Sequence, residues 1–397
     1  MNATVSGEAT VFSPWPFFEQ DEIDAAASVL GSGKVNYWTG NEGKHFEEEF
    51  ATLAGTRHAI ALANGTVALE AAFEALRIGP GDEVILTPRT FLASASAVVR
   101  VGAKPVFADV DRRSGNLDLD SVEAAITPRT RAILAVHLGG WPCDMPRLLE
   151  FASSKGIHVI EDCAQAHGAA IGGRSVGSWG IVSAWSFCQD KIMTTAGEGG
   201  MVTTDDEALW DRMWSLKDHG KSFDAVFRRE HKPGFRWLHE SFGTNWRLTE
   251  VQSAIGRIQL RKLPEWHRLR TTHAETLLSA WESVSALRTE RPGPEERHAY
   301  YKFYAYVRPE VLADGWSRDR IMAEIVAEGV PCFTGSCSEI YLEKAFQTIG
   351  WGEPSRLPVA KELGETSLMF LVHPTLDEAA MDKTAQVVRD VVSRATR

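Results

Sequence analysis

Over residues 58–217 the chain alternates short apolar runs with amphipathic stretches, and this alternation restricts its possible folds more than any other feature. The apolar runs fall at 58–62, 83–86, 105–108, 132–136, 157–160, 182–185 and 201–203. They are nearly continuous rather than alternating, which is the pattern of strands covered on both faces. Between several of them, as at 67–76 and 145–155, apolar residues recur at helical spacing. Strands joined by helices in this way predict an α/β fold with a mostly parallel sheet between helical layers. In such sheets ligands collect beyond the carboxyl ends of the strands.

The pattern changes beyond Leu263 and Pro264. Long polar helical stretches, a strand at 300–307, a helix at 318–328 and a last helix at 377–396 predict a smaller C-terminal α/β domain. The expected division is therefore a large domain over 13–263 and a small domain over 264–397. Pro292, Gly293 and Pro294, within 291–297, mark an expected mobile connection.

Composition narrows the function. With 42 basic against 53 acidic residues the net charge is −11, which opposes generic binding to a nucleic-acid backbone. No stretch is apolar enough for a membrane span and no signal-like start is present, so a cytoplasmic location is expected. The five cysteines are scattered and form no Cys-x-x-Cys pair, and the twelve histidines form no His-Glu-x-x-His helix; neither a disulfide framework nor a metal site is expected. Gly31-Ser32-Gly33-Lys34 hints at a phosphate loop, but Ser28 stands at the first-glycine position and Val35 follows the lysine. The run from Val35 to Gly40 contains Tyr37 and Trp38 and reads equally as an aromatic lining of a substrate entrance or as a dimer loop.

Four segments carry chemistry, and each follows a predicted strand. Asn64-Gly65-Thr66 opens a helix, where Gly65 allows close backbone approach and the helix start offers amides to an anion such as a phosphate ester. Phe91, after the second strand, can lie on a planar ring. Glu161-Asp162-Cys163-Ala164-Gln165-Ala166-His167-Gly168 leaves the fifth strand. Here Asp162 can keep a pyridine nitrogen protonated, Gln165 can donate to a phenolic oxygen, and His167 can support Asp162 or contact the ring. The fourth segment holds Ser186, a candidate phosphate contact, and Lys191, followed by Gly197, Gly199 and Gly200. A lysine on a small-residue loop, together with the upstream carboxylate, suits a Schiff base with pyridoxal phosphate and later proton transfer by the released amine.

These segments, with Gly-Pro-Gly-Asp-Glu-Val at 79–84 and Thr-Asn-Trp-Arg-Leu-Thr-Glu at 244–250, resemble the DegT/DnrJ/EryC1/StrS family. This family comprises pyridoxal-phosphate-dependent sugar aminotransferases of fold type I. The likeness runs from about Ser13 to His373. It implies a seven-stranded large domain, Lys191 as the Schiff-base lysine and Asp162 as partner of the pyridine nitrogen. It also implies that Gln165 lies near the phenolic oxygen, that Phe91 stacks on the ring, and that Gly65, Thr66 and Ser186 hold the phosphate. Asn245 matches an asparagine that reaches the phosphate from the neighbouring subunit, which implies a homodimer with shared active sites.

The sequence also departs from the family. Residues 331–340 stand where many relatives have a histidine and an aromatic residue against the substrate. Cys188-Gln189-Asp190 before the lysine is unusual, and Ala196 replaces a frequent glycine. The resemblance implies transfer of an amino group from L-glutamate, less often glutamine, to a nucleotide-linked keto sugar. An aminocyclitol acceptor is the alternative substrate, and a non-catalytic pyridoxal-phosphate-binding sensor is the rival class. Lys191 opposes the dehydratase chemistry of relatives that carry histidine at that position.

Overall fold

The structure is a computed structural model and describes residues 12–352 and 355–397. The first elements are α1 (Gln20–Ser32), α2 (Glu42–Ala54), β1 (His58–Leu62), α3 (Gly65–Ala75), β2 (Glu83–Leu86), α4 (Ala93–Arg100) and β3 (Lys104–Phe107). There follow α5 (Leu119–Ala125), β4 (Thr130–Val136), α6 (Met145–Lys155), β5 (His158–Asp162), the short strands β6 (Ala170–Ile171) and β7 (Arg174–Ser175), β8 (Val182–Ser186) and β9 (Gly200–Thr204). Next come α7 (Glu207–Lys217), α8 (Phe223–Phe227), the long α9 (Glu250–Trp281), β10 (Leu287–Arg288), β11 (Glu296–Arg297) and β12 (Phe303–Val307). The chain ends with α10 (Arg318–Ala327), β13 (Cys332–Phe333), α11 (Lys344–Ile349), α12 (Pro358–Thr366), β14 (Ser367–Phe370) and α13 (Glu378–Ala395).

All seven expected strands form one sheet in the order β1-β9-β8-β5-β4-β2-β3. The pairs among β8, β5, β4, β2 and β3 are parallel, and β9 alone runs against both of its neighbours. Strand geometry turns successive side chains to opposite faces. One face, with Ile60, Val84, Leu134 and Ile160, packs on residues of α3, α4 and α7. The other carries two clusters: Ala61, Met201 and Trp185 with Phe46 and Phe50 of α2, and Ile133 and Val159 with Leu148 and Ala152 of α6. Continuous apolar strands are legible in the sequence because both faces are buried.

The C-terminal part builds its own four-stranded antiparallel sheet, β10-β12-β14-β13, over a separate core with α10 and α13. The domain boundary expected at Pro264 falls inside α9, which runs unbroken for 32 residues through that proline. Leu260 and Leu263 belong to the large-domain core, whereas Leu277, Leu278 and Trp281 belong to the C-terminal one. Packing on both halves overrides the usual helix-breaking effect of an interior proline. Residues 291–297, expected to be mobile, are anchored instead. Glu296 and Arg297 pair with β6, Arg291 is bound to Glu275, and Arg113 Nη2 donates to Arg291 O and Glu296 Oε2, both at 2.9 Å.

Glu161 is fully buried one residue before the end of β5. Its Oε1 accepts from the amides of Trp179 and Gly180 and from Ser183 Oγ; its Oε2 accepts from the Gly177 amide and from His137 Nε2. His137 must donate there because its Nδ1 accepts from the Cys143 amide at 3.0 Å. Burial alone would raise the Glu161 carboxyl, but the His137 ring and the amides of Gly177 and Gly180 outweigh it and hold the group below its ordinary value. The stability contributed is thus present at neutral pH and lost as pH falls through that lowered value. Cys163 lies beside this pair, but five donors already occupy both oxygens, so Glu161 acts as a brace for residues 177–183 and not as a metal ligand. Glu161→Gln would turn an amide nitrogen toward buried donors. It is expected to cost about 3 kcal/mol, read as a lowered urea midpoint, whereas a loss under about 1 kcal/mol would show that the donors find other partners.

Candidate active site

Beyond the carboxyl ends of β1, β2, β5 and β8 lies a cleft of about 630 Å³. Its size suits a cofactor together with part of a substrate. At one end is the start of α3. Asn64 caps this helix by accepting from the Val67 amide at 3.0 Å, which leaves the amides of Gly65 and Thr66 without a partner inside the helix. A Cβ on Gly65 would sit 2.7 Å from Ser186 Cβ, and one on Gly200 would sit 2.4 Å from the Asn64 carbonyl. Glycine at these two positions lets three chain segments converge, so that Gly65, Thr66 and Ser186 line one polar corner. An anion fits this corner because the helix dipole and free amides both favour negative charge.

Asp162, nearly buried, ends β5 on the same face as Ile160 and turns into the cleft. Its Oδ2 accepts from Ser94 Oγ at 2.7 Å and its Oδ1 from the Ala164 amide at 3.1 Å; Thr90 Oγ1 lies 2.9 Å from Ser94 Oγ. These contacts fix the carboxylate in one orientation. Gln165 accepts from the Gly139 amide through Oε1 at 2.7 Å, which leaves its amide nitrogen to the cleft. Phe91 is 70% exposed at the rim, where its ring is accessible to a planar ligand.

Lys191 lines the same cleft on the loop between β8 and β9. Its carbonyl accepts from Trp15 Nε1 at 2.8 Å, and its Nζ lies 5.0 Å from the centre of the Tyr301 ring. The Tyr301 hydroxyl donates to Asp190. Further along the loop Ala196 holds φ at 61°, a left-handed conformation that explains why glycine suits that position.

The structure therefore brings together Gly65, Thr66, Phe91, Asp162, Gln165, Ser186 and Lys191. It does not bring His167 to the cleft. That ring is fully buried against Trp185 and Phe187, with neither nitrogen hydrogen-bonded to Asp162 or to anything else among the described residues. Burial and the nearby Lys191 charge lower it to about 3, so the imidazole is neutral and acts as packing. Asn245 is exposed, bridges Asp218 through its backbone and does not line the cleft of its own chain. Tyr37 and Trp38 are not a cleft lining: Tyr37 is buried under Lys217 and bonded to Glu47, while Trp38 stacks on Phe227.

Sequence reasoning missed Ser94, Trp15, Asp190 and Tyr301. Ser94 stands one helical turn beyond Phe91 and could have been found from that spacing. Tyr301 has no local signal, because the fold brings it in from more than a hundred residues away. In the segment 331–340 only Ser336 lines the cleft, with its amide on the Tyr304 hydroxyl at 3.1 Å, while Arg89 Nη1 binds Ser338 Oγ at 2.8 Å.

A corner for an anion, a rim aromatic, an oriented carboxylate, an amide donor and a lysine in one cleft fit pyridoxal phosphate. The comparisons with known proteins agree. Residues 16–389 match the DegT/DnrJ/EryC1/StrS aminotransferase family. The chain is 36% identical to the UDP-N-acetyl-3-dehydro-alpha-D-glucosamine 3-aminotransferase of Acidithiobacillus ferrooxidans, with 93% of this chain and 94% of that protein covered. It is also 36% identical to the dTDP-3-amino-3,4,6-trideoxy-alpha-D-glucose transaminase of Streptomyces venezuelae, covering 94% and 93%. The structure of an aminotransferase from Psychrobacter cryohalolentis superimposes with a TM-score of 0.95 at 57% identity, covering 97% of this chain and 99% of that one. Gly65→Ala, by forcing Ser186 away, is expected to weaken pyridoxal phosphate binding about tenfold in a fluorescence titration; unchanged affinity would place the phosphate elsewhere.

Proposed function

The chain belongs to the DegT/DnrJ/EryC1/StrS aminotransferase family, whose members depend on pyridoxal phosphate, and we propose that it moves an amino group from L-glutamate to a nucleotide-linked keto sugar. The observation that carries the reading is the pair of oriented groups in one cleft: Asp162 held by Ser94 and Ala164, and Lys191 held through Trp15. When bound, pyridoxal phosphate supplies an electron sink that lets the amino group leave the donor and later join the acceptor carbonyl. Gly65, Thr66 and Ser186 hold its phosphate, Phe91 covers its ring, Gln165 donates to its phenolic oxygen, and Asp162 keeps its nitrogen protonated. Lys191 would hold it through its amine, and that amine would move the proton at the substrate carbon.

The donor, L-glutamate, is what the likeness to the family implies. The names of the relatives, with their UDP- and dTDP-linked sugars, support a nucleotide-linked acceptor.

The reading includes a homodimer whose sites are shared through Asn245. Its support is that Asn245 is exposed at the end of a segment whose Phe235, Trp237 and Phe242 are 78%, 81% and 101% exposed. Large aromatic rings left in water at that density mark a surface that a partner buries.

Asp162→Asn is expected to keep the cofactor, so that borohydride still tags Lys191, but to slow transamination at least about a hundredfold, or about 3 kcal/mol of barrier. Near-normal turnover would reduce Asp162 to a strand-end residue. For the shared site, a mixture of Lys191→Ala and Asn245→Ala chains is expected to regain activity as subunits exchange, because one site per heterodimer is intact. Mixtures that exchange yet stay inactive would confine Asn245 to its own subunit.

A further inference from the structure

Arg270 is fully buried on α9, yet no carboxylate pairs with it among the described residues. A buried guanidinium without an anion is costly, and it persists only where it holds something in place. Its Nη1 donates to the carbonyls of Tyr300 and Tyr301, at 3.2 Å each, and its guanidinium lies 5.2 Å from the centre of the Trp15 ring. Its Nε has no hydrogen-bond partner among the described residues. Tyr300 adopts φ 47°, a left-handed conformation that costs a tyrosine energy, and its amide is tied to His298 Nδ1 at 2.7 Å. The strain and the buried charge act on one short stretch of backbone, and that stretch carries Tyr301.

Both groups that Arg270 supports reach Lys191. Trp15 donates to the Lys191 carbonyl, and the Tyr301 ring receives the Lys191 Nζ while its hydroxyl fastens Asp190, the preceding residue. We propose that Tyr301 is a catalytic residue, its ring being the resting place of the Lys191 amine while the substrate and not the lysine is bonded to the cofactor, and that Arg270 is the positioning residue that sets it there. The ring face attracts an ammonium and leaves the nitrogen directed along the cleft; the hydroxyl bond to Asp190 prevents the ring from turning away. The amine thereby stays close to the carbon whose proton it moves and does not wander on its four-carbon stem, which is how fixed orientation lowers a barrier. This assignment rests on the aminotransferase reading.

The test loads the protein with pyridoxamine 5′-phosphate, which leaves the Lys191 amine unlinked, and measures the acetylation rate of Lys191 by mass mapping. Tyr301→Leu is expected to raise that rate about fivefold, and Tyr301→Phe, which keeps the ring, to restore most of the shielding. In the same leucine variant kcat falls about thirtyfold, the glutamate KM stays within about threefold, and the isotope effect with 2-deuterated glutamate rises, because proton transfer has become slower. Arg270→Lys keeps the charge but cannot span two carbonyls. It is expected to reproduce part of the increase with Tyr301 in place, so the test stands whether or not the leucine variant folds. Unchanged Lys191 labelling in the variants that fold, or an unchanged isotope effect, overturns the proposal. A wild-type protein that takes up no pyridoxal phosphate would instead sink the aminotransferase reading.

Discussion

Two neighbouring carboxylates at the end of β5 face opposite ways, and the site depends on that alternation. Strand geometry leaves Glu161 on one face and Asp162 on the other. Glu161 gathers the amides of Gly177, Trp179 and Gly180 and the His137 ring, and so fixes the approach to β8, which ends in Ser186. Asp162 takes the opposite direction into the cleft, where, among the described residues, only Ser94 and the Ala164 amide bond its carboxylate. One carboxylate is saturated by protein donors and serves as structure; the other keeps capacity for a ligand. The same charge takes two roles because the pleat separates their surroundings.

The large sheet was legible in the sequence because both of its faces are covered. Near-continuous apolar runs such as 132–136 and 182–185 suit strands shielded from water on either side. The strand ends shifted by one or two residues, as at β4 and β5, where polar residues such as Thr130 and Asp162 still pair. The continuity of α9 across the expected boundary was not legible. A proline after a leucine reads as a break, but no local rule reports that α1 and α2 pack on one half of α9 and α13 on the other.

The site divides in the same way. Residues at or just beyond strand ends, such as Gly65, Asp162 and Ser186, are legible because strand ends converge in this architecture. His167 misled because a motif gives order along the chain and not direction. A short way beyond Asp162 the backbone has already turned the histidine ring into the core between Trp185 and Phe187. Tyr301 lay outside any motif, since its place is decided by how the C-terminal part docks on the cleft.

That docking passes through α9, one continuous helix rooted in the large domain and carrying Arg270 and the C-terminal core. An α-helix advances about 1.5 Å and turns about 100° with every residue. A single inserted or deleted residue between Pro264 and Arg270 would therefore swing the entire C-terminal unit by more than a quarter turn relative to the large domain. Surface loops absorb changes of length, but this shaft does not. Its residue count is a dimension of the active site, as surely as any distance measured inside the cleft.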